Sequence, residues 1–190
     1  MSANEGDTFN FVVTIDGAAA FEVSFDWGTS DNTAIQPGDY TAQSTTRVTL
    51  SVGQTAITLP VVVNTDNIDE SVSETFYVDV SSGTYVNIVD SQGLGTITDT
   101  TATPDLFIVD ASEEEGGTIL FTVSMTHYSD QNVTFNYSTY DGTASISNSD
   151  YTQESNTAGS ITALTLNSIV TVVTTEDATA ELDETLTVSL

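Results

Sequence analysis

Carboxylates are the one class of side chain in this sequence that is numerous enough to carry chemistry. The chain has 28 Asp and Glu, one Arg (Arg47), no Lys and one His (His127), so its net charge is −27. Two cationic side chains cannot pair with 28 acids, so the other carboxylates stand apart in water, are protonated, or share a cation from solution. Oxygen ligands without His or Cys select Ca²⁺, and less often Mg²⁺.

Most of these acids lie where alternating apolar runs begin or end. In the first half they are Glu5, Asp39, Asp66, Asp69, Glu70 and Glu74, and in the second half residues 113–115, Asp150, Glu176, Asp177, Glu181 and Glu184. Loops at one end of a β-sandwich meet in space, so carboxylates there repel one another unless a cation lies between them. The pattern favours cation sites. The alternative is that the acids are solvated turn residues, because Asp is common in turns.

The elements that would position these acids are β-strands. Apolar residues recur at every second position in the segments 9–15, 21–27, 57–63, 119–125 and 133–137. This is the period of a strand with one buried face, and no segment shows the helical period of about 3.6. Thr, Ser, Val and aromatic residues dominate, as strands prefer. Short strands separated by Gly, Asp, Asn and Ser predict an all-β sandwich.

The chain contains an internal repeat of roughly 110 residues. NEGDTFNFVVTI from Asn4 matches EEGGTILFTVSM from Glu114, and DESVSETFYVDV from Asp69 matches TAELDETLTVSL from Thr179. The offsets agree, because Glu5 to Glu115 is 110 positions and Asp39 to Asp150 is 111. The repeat predicts two tandem units, which we place at residues 1–99 and 105–190, joined by a short linker at residues 100–104.

The two repeat units do not begin and end at equivalent positions of the repeat. A strand-like segment at residues 105–112 precedes the second EG motif, whereas residues 1–3 precede the first. The segment GLGTITD at residues 93–99 closes the first unit and has no partner in the second. We therefore expect the first unit to lack an opening strand and the second its closing strands. Unpaired edges predict either strand exchange between chains or a frayed second unit.

Composition excludes several functional classes. With one Arg and no Lys, the chain cannot neutralise nucleic-acid phosphates or bind an anionic membrane. No signal peptide is recognised, and no segment approaches the ~18 apolar residues of a membrane helix. The absence of Cys excludes a thiol nucleophile. His127 does not form part of a recognisable triad and nothing marks a sugar cleft, so we expect no enzyme.

An ordered set of short motifs resembles the Calx-beta domain, and the resemblance covers nearly the whole chain. The second unit has DGTA at 141–144, SDY at 149–151, ED at 176–177 and ELDETL at 181–186. The first unit has DNTA at 31–34, GDY at 38–40, DN at 66–67, SETF at 73–76 and GTITD at 95–99. The resemblance implies immunoglobulin-like antiparallel β-sandwiches, with calcium ligands on the loops at one end, near the junction with the next domain.

The same resemblance names candidate calcium ligands in both units. They are Glu5, Asp39, Asp66, Glu74 and Asp99 with Glu70 as a further candidate in the first unit, and Glu115, Asp150, Glu176, Asp177, Glu181 and Glu184 in the second. The first unit departs from the family at Asn67, which replaces an acid, and at Ser71, where Glu is frequent. Thr100 and Thr101 follow Asp99 in place of further acids. These departures imply a weaker first site or fewer ions.

The resemblance also implies a function, because the family occurs in sodium–calcium exchangers, in an integrin and as tandem arrays in large bacterial surface proteins. We expect a calcium-rigidified extender of a bacterial cell-surface or secreted adhesin, located outside the cell. Its partners would be Ca²⁺ and neighbouring repeats of the same chain. One alternative is an adhesion module that binds carbohydrate, ice or protein. Another is a halophilic protein whose acids only hold water, which predicts a response to bulk salt without preference for Ca²⁺.

Overall fold

The structure is a computed structural model that describes residues 1–70, 72–178 and 182–190. The secondary structure of these residues consists of 15 β-strands, which confirms the predicted all-β fold. No helix in the described ranges is long and apolar enough to cross a membrane. The chain divides into two compact units, Met1–Thr101 and Ala102–Leu190, and the division falls within the predicted linker.

Each unit is built from short strands. The first unit has β1 (Ser2–Asn4), β2 (Thr8–Thr14), β3 (Val23–Asp31), β4 (Thr46–Leu50), β5 (Ala56–Val62), β6 (Ile68–Asp69), β7 (Glu74–Thr84) and β8 (Gln92–Thr98). The second unit has β9 (Leu106–Ile108), β10 (Thr118–Met125), β11 (Tyr128–Ser129), β12 (Val133–Asp141), β13 (Thr157–Ile161), β14 (Asn167–Val173) and β15 (Leu186–Ser189).

The main strands of the first unit form two sheets. One sheet has the order β1-β8-β7-β3-β4, and the other pairs β2 with β5. Strand β1 runs parallel to β8, and the remaining pairs are antiparallel. Since Asn4 pairs with Thr98 and Glu74 pairs with Ile97, the ends of β1 and β8 lie beside the start of β7. Three acid-bearing segments therefore meet at one end of the sheet.

The core of the first unit lies between these two sheets. Phe9 and Leu59 come from the smaller sheet, and Phe25, Phe76 and Ile97 come from the larger one; all five are at most 2% exposed. Phe9, Phe25 and Leu59 belong to the alternating runs of the sequence, so the period of two does select the buried face there. The ring of Phe76 contacts Phe9 edge-on at 5.3 Å between centroids.

Arg47 is not an isolated surface residue but connects three strands. Its Nη1 donates to Asp26 Oδ1 at 3.0 Å and to the Ser82 carbonyl at 3.2 Å, and its Nη2 donates to the hydroxyls of Ser24 and Thr84. These contacts span β3, β4 and β7 where the pairing of β3 with β7 shifts register between Ser24 and Asp26. The hydrogen bonds of Arg47 thus join neighbouring strands of the larger sheet.

The second unit repeats the strand arrangement of the first, but fewer of its described strands have a neighbour on both sides. Its sheets have the orders β13-β12-β15 and β14-β10-β9. Strands β10, β12, β14 and β15 correspond to β2, β3, β5 and β7 through the sequence repeat. Its core includes Val123, Ile161 and Val172, each fully buried.

The strand edges differ from the sequence expectation in one respect. The sequence indicated no strand before Glu5, yet residues 2–4 form β1, because parallel pairing with β8 needs no apolar alternation. Strand β9 pairs with β10 over residues 106–108, and within the described residues of the first unit β2 pairs with β5 alone. In the described part of the second unit, β15 pairs with β12 and no strand corresponds to β8.

Candidate metal centre

Three carboxylates form the centre of the acidic cluster in the first unit. Asp39, Glu70 and Glu74 each place one carboxylate oxygen within 4.8 Å of the others. All three residues are half-buried, and Oε2 of Glu74 is fully buried. Carboxylate oxygens held this close repel one another strongly unless positive charge lies between them.

The remaining predicted residues of the first unit surround this centre. Glu5 follows β1, Asp99 follows β8, and Asp66 lies between β5 and β6. Burial first, and then the charges of Asp39, Asp66, Glu5 and Asp99, raise the pKa of Glu70 to about 7. The pKa of Glu5 is also raised, by burial and then by Asp66 and Asp99. The fold therefore brings all six of the predicted first-unit acids into one electrostatic cluster.

Backbone amides hold two of these acids in place. Asp99 accepts a hydrogen bond from Glu70 N at 2.8 Å on Oδ2, and another from Thr101 N at 2.7 Å on Oδ1. Asp66 Oδ1 accepts from Ile68 N at 2.8 Å. Such bonds compensate part of the negative charge and fix the carboxylates relative to the backbone. Asp99 in particular ties the loop after β6 to the residues that follow β8.

Asp39 is positioned by a turn that the sequence reasoning did not foresee. Its Oδ2 accepts a hydrogen bond from Ile35 N at 2.5 Å. Asp31, from the DNTA motif, accepts on Oδ1 from Gln36 N at 3.1 Å and from the Tyr40 hydroxyl at 2.6 Å. The motif therefore builds the turn and presents Asp39 to the cluster.

Tyr40 anchors this turn in the core. The residue is fully buried, and its ring stacks on Phe76 with 4.5 Å between centroids. Burial and the bond to Asp31 raise the pKa of Tyr40 to about 12, so the hydroxyl remains a donor at neutral pH. Asn64 adds bonds from Nδ2 to the carbonyls of Pro37 and Gly38, at 2.7 and 3.0 Å. The sequence does contain a signal for this turn, because the Asp of DNTA and the Tyr of GDY recur in the second unit as the Asp of DGTA and the Tyr of SDY.

The second unit has the same turn. Tyr151 donates to Asp141 Oδ1 at 2.7 Å, Ile146 N donates to the same oxygen at 3.1 Å, and Ser145 N donates to Asp150 Oδ2 at 2.7 Å. The pKa of Tyr151 is likewise raised to about 12, first by burial and then by its bond to Asp141. A turn of this kind thus belongs to the repeat itself.

The second set of predicted ligands is not brought together in the same way. Asp150 is half-buried, whereas Glu115, Glu176, Asp177 and Glu184 are exposed. Glu181 lies outside the described residues. Among the described acids of this unit, no three carboxylates approach within ligand distance of one another. Asp150, Glu115 and Glu184 instead line an open cavity of about 1010 Å³. The position that corresponds to Glu70 in the repeat also lies outside the described residues.

His127, the single His, makes structural contacts. Its Nε2 lies 2.5 Å from the Ala102 carbonyl oxygen, and its Nδ1 lies 3.1 Å from the Thr126 hydroxyl. These two contacts use both ring nitrogens to tie residues of the second unit together.

The family comparison identifies the fold and its repeat. The Calx-beta domain model matches residues 1–105 and again residues 103–190. The chain therefore belongs to the Calx-beta family and consists of two such domains in tandem. No curated protein matches the chain.

Solved structures agree with this fold. The crystal structure of the calcium binding domain CBD12 of CALX1.1 is 18% identical, with a TM-score of 0.50, and the match covers 90% of this chain and 71% of that one. The crystal structure of CBD12 from CALX1.2 is 17% identical, with a TM-score of 0.49, and covers 99% of this chain and 76% of that one. At 18% identity, the likeness to CBD12 of CALX1.1 concerns the fold alone.

Removing the hydroxyl that anchors the Asp39 turn is expected to destabilise the first unit. Tyr40→Phe deletes the charge-assisted bond from the buried hydroxyl to the Asp31 carboxylate, at a cost of about 1 to 2 kcal/mol in the free energy of unfolding. Urea unfolding of wild type and variant measures this. Tyr85→Phe is the control, because Tyr85 is 78% exposed and its change is expected within about 0.5 kcal/mol. Equal values for the two variants would refute the anchoring role.

The raised pKa of Glu70 predicts the pH dependence of the cation-free protein. The folded-state pKa, about 7, lies above the ordinary value of 4.5, so the folded state binds this proton more tightly than the unfolded chain. The contribution of Glu70 to the free energy of unfolding is therefore fully present below pH 4.5, and it is lost as the pH rises through about 7. Unfolding in a chelator across this range is expected to show stability falling with rising pH. Glu70→Gln is expected to flatten the slope and exposed Glu22→Gln to leave it unchanged; identical slopes in all three proteins would contradict this origin.

Proposed function

We propose that this chain is a calcium-binding module. The observation that carries the proposal is the convergence of Asp39, Glu70 and Glu74 in a half-buried position. Glu5, Asp66 and Asp99 add negative charge around them. Oxygen donors that are plentiful and come from several separate loops suit Ca²⁺, which takes 6–8 oxygen ligands in flexible geometry, better than Mg²⁺, which requires a nearly ideal octahedron.

The chemistry of the relatives supports the same ion. The structurally similar CBD12 of CALX1.1 is a calcium binding domain, and the acids that the Calx-beta resemblance points to are the ones that meet in the first unit. The donor set contains no His or Cys, so it offers a hard cation nothing but oxygen. Extracellular calcium modules bind with Kd of order 10⁻⁴ to 10⁻³ M, and we place this site in that range.

We further propose that the bound ion stiffens the chain, as in an extender segment of a bacterial surface or secreted adhesin. Asp99 supports this role because it bonds both the Glu70 amide and the Thr101 amide, and Thr101 is the last residue of the first unit. An ion held by the cluster would restrain the residues that lead out of this unit. In calcium-rich surroundings outside the cell the module would be rigid.

The calcium proposal is tested by thermal unfolding in a chelator, in millimolar Ca²⁺ and in matched Mg²⁺ at constant ionic strength. At 1 mM Ca²⁺, which is about one to ten times this Kd, one site adds about 0.4 to 1.4 kcal/mol to the free energy of unfolding, which raises the melting temperature of the first unit by about 2 to 11 °C. Asp39→Asn keeps an oxygen for Ile35 N but removes the charge, and it is expected to abolish most of the shift.

The matched control is Asp150→Asn, at the equivalent position of the second unit, which is expected to retain the shift of the first unit. An equal response of the wild type to Ca²⁺, Mg²⁺ and added monovalent salt would overturn the calcium proposal. That result would mean that the acids form only a hydrated surface.

The stiffening proposal requires a distance measurement between the units. The chain has no cysteine, so Thr58→Cys and Thr171→Cys, both on exposed strand positions, allow one spin label in each unit. Calcium is expected to narrow the distribution of distances between the two spin labels, as measured by pulsed electron paramagnetic resonance. Adding Asp99→Asn is expected to remove the narrowing even where the ion still binds. A width that calcium does not change would contradict the extender role while leaving calcium binding intact.

A further inference from the structure

The turn after β3 carries a threonine whose side chain extends the pairing of β3 with β7. The last pair of this ladder joins Asp31 and Phe76. Just before it on β7, the amide of Thr75 donates a hydrogen bond of 2.8 Å to the Thr33 hydroxyl oxygen. The Thr75 carbonyl in turn accepts a hydrogen bond from Ala34 N at 2.9 Å. We call these two contacts of Thr75, with Thr33 and with Ala34, the threonine clamp.

Two features give the threonine clamp a fixed geometry. Asn32 Nδ2 donates to the Thr75 hydroxyl oxygen at 2.7 Å, and the two threonine hydroxyls lie 3.2 Å apart. Ala34 is fully buried, and Thr75 is half-buried next to the core residue Phe76. A half-buried amide that lost its partner would be costly, so the Thr33 hydroxyl holds the start of β7 against the turn.

The threonine clamp connects two residues of the metal centre. Thr75 directly follows Glu74 in β7. The amides of Ala34 and Ile35 are consecutive, and the first donates to the Thr75 carbonyl, whereas the second donates to Asp39 Oδ2 at 2.5 Å. The position of Asp39 is therefore fixed relative to that of Glu74 through a single peptide unit of the turn.

The second unit contains the same clamp. Thr185 N donates to the Thr143 hydroxyl oxygen at 2.8 Å, and Ala144 N donates to the Thr185 carbonyl at 3.1 Å. The next amide, Ser145 N, donates to Asp150 Oδ2 at 2.7 Å. Among the described acids of this unit, no three carboxylates converge. The clamp therefore belongs to the scaffold of the repeat and does not depend on a carboxylate cluster.

We propose that Thr33 is a positioning residue of the calcium site, because its hydroxyl acts through Thr75 to hold Glu74 within ligand distance of Asp39. The inference rests on the proposed calcium binding. The carboxylates of Asp39 and Glu74 repel each other when no cation is bound. Without the clamp this repulsion would separate them, and an arriving ion would have to bring them together again. A residue that orients metal ligands therefore contributes to affinity without contacting the ion.

The experiment titrates the full chain, labelled with ¹⁵N, with calcium chloride at constant ionic strength. The amide of Glu70, which donates to Asp99 at 2.8 Å, reports binding in the first unit through its chemical shift. Thr33→Val keeps the size of the side chain and removes the hydroxyl, and we expect it to raise the Kd of this unit by about 10-fold or more. Thr33→Ser retains the hydroxyl and is expected to bind calcium like the wild type.

The matched control is Thr143→Val, which removes the same hydroxyl in the second unit. It is expected to lower the melting temperature in a chelator, as Thr33→Val does, and to leave the Kd of the first unit unchanged. A second variant covers the case in which Thr33→Val does not fold. The exposed Asn32→Ala deletes the bond from Asn32 to Thr75, and it is expected to raise the Kd of the first unit by about 3-fold.

Two results would overturn this inference while leaving calcium binding intact. The first is that the wild type binds calcium and Thr33→Val, or Asn32→Ala in its place, binds it equally tightly. The second is that Thr33→Ser or Thr143→Val weakens binding in the first unit as much as Thr33→Val does, because the loss would then follow stability and not the clamp. A wild type that does not bind calcium would overturn the proposed function and this inference together.

Discussion

Repulsion among carboxylates is the constraint on which the rest of this structure depends. The chain carries 28 acids, and its single Arg is engaged with Asp26 in the sheet. Folding of the first unit nevertheless gathers six acids at one end and half-buries the three at their centre. Hydrogen bonds from backbone amides to Asp39, Asp66 and Asp99 offset part of this repulsion. Burial first, and then the charges of the neighbouring acids, raise the pKa of Glu70, and a divalent cation is the partner that would remove the remaining repulsion.

The strand pairing explains why the acids meet in one unit and not in the other. In the first unit β1 and β8 lie side by side and end together, so Glu5 and Asp99 emerge at the same place. Strand β7 begins there with Glu74. The second unit repeats the turn that holds Asp150, yet its described strands include no counterpart of the β1–β8 pair. The turn is therefore a property of local sequence, whereas the cluster is a property of the closed sheet edge.

This division also shows what the sequence could reveal. Alternation located the strands, because residues such as Phe9 and Phe25 occupy the buried face at every second position. The Calx-beta resemblance selected Glu5, Asp39, Asp66, Glu70, Glu74 and Asp99, and the fold brings these together. Strand β1 was missed, because three residues that pair in parallel show no period. Asp31 and Tyr40 were missed as positioning residues, because a motif by itself does not distinguish a ligand from the side chain that orients it.

The repeat places Glu74 and Glu184 at equivalent positions, 110 residues apart, yet their surroundings differ. Glu74 is half-buried and pairs with Ile97, whereas Glu184 is exposed beside an open cavity. At the paired edge of the first unit, Asp39, Glu70 and Glu74 lie close enough to repel one another unless a cation binds between them. Conversely, an ion between carboxylates lowers the cost of bringing the strand ends together. Under the proposed function, binding of the ion and closure of this sheet edge would therefore favour each other.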